Sequence, residues 1–127
     1  MATPSEHRSK ALHNEELLDV HKLPEGKFAG WAITVLFYSA LHWMRALAAQ
    51  EGFQIKRYSG TESEKLALQQ VPLFQQSPEP FKWYRLLKHV SQDARYEMTQ
   101  YSSADFRDLK QRFFDPFKSY VIANLRI

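Results

Sequence analysis

From Gly30 to Gln50 the chain reads G-WAITVLFYSALHWMRALAA-Q, apolar or aromatic at nearly every position. Thr34, Tyr38, Ser39, His42 and Arg45 are its clearly polar members. No proline and no internal glycine interrupts the run, so nothing in it breaks a helix. At 1.5 Å per residue such a helix spans roughly 30 Å, the width of a small domain. A helix apolar on all sides is either the buried centre of a bundle or a membrane span. His42 and Arg45 inside the run favour the bundle, because charge near a bilayer centre is costly.

The rest of the chain supplies helices to bury that centre. Thr3 to Ser5 carry start signals, with Pro4 where a first helical turn tolerates it. The stretch that follows reads as an amphipathic helix with Leu12, Leu17, Leu18 and Val20 as its apolar stripe, ended by a turn at Pro24, Glu25 and Gly26. The central helix is expected from about Lys27 to Gly52, a residue suited to the C-terminal cap. Ser59-Gly60 marks a loop, and Thr61 or Ser63 could cap a third, short helix limited by Pro72. The QQSPEP run reads as a second loop. A helix is expected after Pro80, with Phe81, Tyr84, Leu86 or Leu87, Val90 and Ala94 on one side. Ser103 could cap the last helix, where Phe106, Leu109, Phe113, Phe117 and Tyr120 recur at steps of three and four, and Pro116 is expected to kink it. No strand pattern, repeat or low-complexity tract occurs. The expected fold is all-α: one domain over residues 1–127, an antiparallel four-helix bundle with one additional short helix.

Composition narrows the functional classes. The chain has 127 residues, no cysteine, 14% aromatic residues and a formal net charge of +3. Without cysteine there are no disulfides, thiolate nucleophiles or cysteine metal sites, which fits a cytoplasmic protein. No secretory signal is read at the start, and no membrane partner is expected. The mild positive charge permits contact with nucleic acid without demanding it. No phosphate-binding loop, dinucleotide fingerprint or nucleophile elbow occurs. No metal-ligand spacing stands out either, so no metal or cofactor is expected.

Two short strings carry a resemblance. Trp31–His42 reads WAITVLFYSALH, and Ser91–Glu97 reads SQDARYE, with Tyr84 and Leu87 ahead of it. Together they resemble the HEPN domains (higher eukaryotes and prokaryotes nucleotide-binding), over roughly Glu6 to Tyr120. The resemblance implies a cytoplasmic helical bundle that pairs with a second copy of itself, usually in prokaryotic defence or toxin–antitoxin systems. Many such proteins are metal-independent ribonucleases; others are inactive modules that bind a protein or nucleic acid. The nuclease members use an Arg, a polar residue, and a His four to six residues on, contributed by two protomers to one composite site. In the corresponding helix this chain has Arg85 and His89, separated by three residues, so it resembles a branch lacking the standard spacing. The His and Arg that the branch often carries after its second helix are missing from Ser59–Glu64. Both departures point away from ribonuclease activity.

Three groups of residues are candidates for function. Arg85 and His89, at i and i+4, share a helix face, where a guanidinium could hold a phosphate and an imidazole take a 2′-hydroxyl proton, with Lys88 adding charge. The alternative is a solvated basic face. Arg95 could anchor a phosphate and Tyr96 stack on a base. Alternatively Arg95 pairs with an acid on a neighbouring helix while Tyr96 packs in the core. Phe114, Phe117 and Tyr120 are the expected interface residues, since adjacent Phe113 and Phe114 differ by about 100° in direction and cannot both point inward. Tyr38, His42 and Arg45 share one face of the central helix and must find partners or water, and His42 reads as a satisfied core histidine rather than a metal ligand. The expected function is partner binding by an HEPN-like dimer. The alternatives are a ribonuclease using Arg85 and His89, or a purely structural subunit.

Overall fold

The computed structural model describes residues 2–20, 28–53, 71–96 and 99–127, and every element among them is helical. In chain order these are α1 (Pro4–Val20), α2 (Ala29–Gln50), α3 (Pro72–Gln76), α4 (Pro78–Tyr96), α5 (Ser103–Leu109), a π-helical turn (Lys110–Phe114) and α6 (Asp115–Asn124). The turns expected at Pro24–Gly26 and Ser59-Gly60, and the helix start at Thr61 or Ser63, lie outside the described residues.

Local chemistry sets the element ends. Thr3 Oγ1 accepts from the Glu6 N–H at 3.1 Å while Glu6 Oε1 accepts from the Thr3 N–H at 3.1 Å, a capping box around Pro4. A second capping box starts α5, one residue earlier than expected: Ser102 Oγ accepts from Asp105 N–H, and Asp105 accepts from Ser102 N–H. At the end of α2, Gly52 takes φ +88°. There the Gly52 N–H bonds Ala49 O and the Phe53 N–H bonds Ala48 O, a Schellman cap that only glycine enters without strain. The SPEP run begins α4 rather than ending a loop. Pro78 and Pro80 both fall in its first turn, where the missing N–H groups have no helical partner anyway.

Burial follows α2. Of its 22 residues, 14 are buried, among them Ile33, Leu36, Phe37, Trp43, Met44 and Leu47. It is long and apolar enough to cross a membrane, yet 72% of its most apolar window is already covered by the other helices. That cover is the behaviour of a core helix. Contacts run in opposite senses along α1 and α2: His7 meets His42, and Ser39 Oγ donates to Ala11 O at 2.9 Å. Ala94 of α4 lies beside Gly30, and the Tyr84 ring packs tilted against Phe37, so α4 also runs in the opposite sense to α2. On α1 the buried residues are Ala11 and Leu18; Leu12 and Leu17, expected in the stripe, are exposed. The small Ala11 facing Ser39 brings those helices close, and the leucines beside it turn outward. On α4 the inward residue is Leu87, not Leu86.

The last helix corrects the interface expectation. Phe114 and Phe117 are fully buried in the chain's own core, and the Tyr120 hydroxyl donates to Leu73 O at 2.8 Å. None of the three presents a free ring to a second copy. The reason is the π turn just before Pro116. It inserts one residue, so the buried stripe runs Phe106, Leu109, Phe114, Phe117, Val121, with one step of five. Phe113, the residue expected inward, is only half-buried against the core. The irregularity foreseen at Pro116 therefore takes the form of a wider turn preceding it.

Candidate nucleic-acid interface

The C-terminal turn of α4 and the N-terminal half of α2 meet at Ala94 and Gly30, and a cleft of about 290 Å³ opens there. Phe28, Trp31, Arg95 and Tyr101 are among its walls. Trp31 and Tyr38, two helical turns apart, lie on one outward stripe of α2 with Val35, His42 and Arg45. Trp31 is 63% exposed and Tyr96 76%, unusual for rings in a chain with so large an apolar core.

Arg95 organises this surface. Its Nε donates to Ser91 O at 3.3 Å and its Nη1 donates to the Tyr38 hydroxyl at 2.9 Å. The guanidinium carbon stands 5.6 Å from the Tyr38 ring centre and 5.2 Å from that of Tyr96, within cation–π range of both. No carboxylate pairs with Arg95 among the described residues. The nearby Asp93 accepts instead from the Tyr101 hydroxyl, which ties that wall of the cleft to α4. Burial and that bond push the Tyr101 hydroxyl up to about 12, so it keeps its proton at neutral pH. The acid-paired Arg95 with a core Tyr96 does not occur among these residues; the cation is held by two rings, one carbonyl and a hydroxyl, and the tyrosine is in solvent.

Arg85 and His89 do share a face of α4, and both are exposed. Arg85 lies over the Phe81 ring at 5.6 Å, one turn back, and neither residue is a wall of the Arg95 cleft. Lys88 is half-buried beside them. One pair elsewhere does stand at the nuclease spacing, correcting the expectation that the chain lacks it: Arg8 and His13 on α1, with four residues between them. Five helical steps leave them about 140° apart around the axis, so they do not converge. His13 looks out with Ser5, Glu6, Ser9 and Lys10.

The exposed Trp31 and Phe28 are absent from the candidates read off the sequence. For Trp31 a signal exists: it stands seven residues before Tyr38 on the stripe that Tyr38, His42 and Arg45 mark as outward. Nothing comparable marks Phe28, whose exposure follows from its place at the N-cap of α2. Comparison with known proteins finds no matching family model, no similar curated protein and no similar solved structure.

Proposed function

We propose that the chain is a non-catalytic binding module that takes hold of unpaired nucleic acid, RNA above all, through the Arg95 cleft. The observation that carries this is the set of exposed rings gathered round an arginine that has no carboxylate partner among the described residues. Unpaired bases stack on exposed aromatic faces in a sequence-tolerant way, and a guanidinium free of acid partners holds the phosphate between them. Trp31 and Tyr96 offer the faces; Arg95 offers the charge.

The two strings at Trp31–His42 and Ser91–Glu97 add the HEPN resemblance, an antiparallel four-helix bundle working as a homodimer in the prokaryotic cytoplasm. Its setting would be a defence or toxin–antitoxin system. Arg85 and His89 stay outside this reading as a site of chemistry, because both are exposed and neither lines the Arg95 cleft.

Binding of a fluorescent single-stranded RNA is the test, read by anisotropy. Tyr96→Ala and Trp31→Ala should each weaken binding by roughly 1–3 kcal/mol, the usual worth of one stacked base. Arg95→Gln should weaken it without unfolding the chain, since Arg95 lies at the surface. Unchanged affinity in all three variants would end the proposal. Metal-free RNA cleavage lost in His89→Ala would put the catalytic alternative in its place, and light scattering reports the dimer.

A further inference from the structure

Beyond Tyr38 the outward stripe of α2 continues to His42 and Arg45, where a second polar group meets α1. The Nδ1 atoms of His7 and His42 are 3.3 Å apart, with ring centres at 5.5 Å and planes tilted by 30°. That contact requires one ring to donate and the other to accept, so at least one is neutral. Burial and the Arg45 charge hold both rings below the ordinary histidine range; His42 is lowered to about 4, with His7 and Lys10 adding to the effect. Glu6 works the other way on His7, but its carboxylate is engaged in the cap of α1.

Arg45 has no such engagement. Its Nε is shielded from solvent and bonded to nothing, and no carboxylate pairs with it among the described residues. Buried donors almost always have acceptors, so an arginine left in this state marks a place where an acceptor belongs. Two half-buried imidazoles and a guanidinium, with Lys10 close enough to act on His42, give this face one sign among the described residues, the Glu6 carboxylate being taken up in the cap of α1.

We propose that His7, His42 and Arg45, with Lys10 at the edge, bind a phosphate-type oxyanion. Arg45 gives the anion its main charge-assisted hydrogen bond, and the imidazoles give theirs to the remaining oxygens. A bound anion reverses the field at the rings and favours protonation of one of them, while the other stays neutral to accept at the Nδ1 contact and offers its second ring N–H to the anion. Affinity therefore rises as pH falls from neutrality. The site shares no residue with the Arg95 cleft and stands without it, although Tyr38 and Arg45 are only about 10 Å apart along α2. The anion is either free phosphate or the phosphodiester of a strand lying along that stripe.

Histidine imidazole signals of the full chain, followed by NMR, distinguish the two. Inorganic phosphate should shift the His7 and His42 signals and move the His42 titration upward, with affinity about tenfold weaker in Arg45→Gln. If only a single-stranded oligonucleotide moves those signals, and Arg45→Gln abolishes the effect, the anion is the phosphodiester. Should neither probe shift them, or the shifts persist in Arg45→Gln, the proposal is overturned. A Trp31 fluorescence response to oligonucleotide in that case leaves the cleft reading intact. Lys10→Gln, a change on the exposed face of α1, should weaken the same response by about twofold and tests the site should Arg45→Gln fail to fold.

Discussion

At Glu15 one carboxylate gathers two donors, Trp43 Nε1 at 3.0 Å and Lys118 Nζ at 2.6 Å, with Ser39 Oγ, whose proton goes to Ala11 O, at 3.4 Å. The Lys118 and Glu15 side chains are only 27% and 17% exposed, and the lysine stands over the Trp43 ring at 5.8 Å. Removing the acid strands a half-buried ammonium and an indole N–H together. Glu15→Ala should cost about 2–3 kcal/mol, read from the urea midpoint, well above the typical surface ion pair. His42 makes a second residue-scale prediction. Its folded value of about 4 lies below the ordinary 6.5, so between those values the unfolded chain binds a proton that the folded chain refuses. Stability then falls as pH drops through that window, and the half-buried His7 acts in the same direction. After discount for solvent around a half-exposed ring, the loss is on the order of 1–2 kcal/mol. In phosphate-free buffer, His42→Gln should flatten the stability curve between pH 6.5 and 4; an identical slope in both proteins would refute the assignment.

The elements were legible in the sequence where one local rule decided them. The apolar run of α2, the TPSE start of α1 and Gly52 at the C-cap each act through neighbours in sequence, and the structure places them within a few residues of expectation. The α1 stripe was misread because Ala11, not the larger leucines, sets the approach to Ser39, a choice that only the facing helix makes. In the last helix the regular three-four spacing through Phe113 gave the wrong inward face, since a periodic reading cannot count a π turn. That turn yields a third prediction. Deleting Gln111, an exposed residue of the turn, should let it close to an ordinary α-turn. Phe106, Leu109, Phe114 and Phe117 would then stand at steps of three, four and three on one face. The deletion variant should keep its helical circular dichroism and unfold cooperatively; loss of cooperativity would mean that the wide turn itself is required.

Across the whole molecule, the sequence located the core better than the surface. A core helix announces itself by hydrophobicity alone, whereas Arg95 stands 57 residues from Tyr38 and further still from Trp31, and meets them only when α4 packs against α2. Charge is equally diffuse: 17 basic residues stand against 14 acidic ones, and there is no strongly basic stripe. This balance sets how the proposed binding responds to salt. Each neutralised phosphate on a single strand contributes about −0.7 to the slope of log affinity against log salt. With Arg95 as the cation of the cleft and Arg45 with Lys10 on the neighbouring stripe, two or three phosphates are within reach, so the slope should be no steeper than about −2. Stacking on Trp31 and Tyr96 is nearly salt-independent and should leave measurable affinity at high ionic strength. Anisotropy titrations from low to high salt check this directly. A steep slope with no residual binding would mean that RNA is held by scattered surface lysines and arginines, and that the exposed rings serve something else.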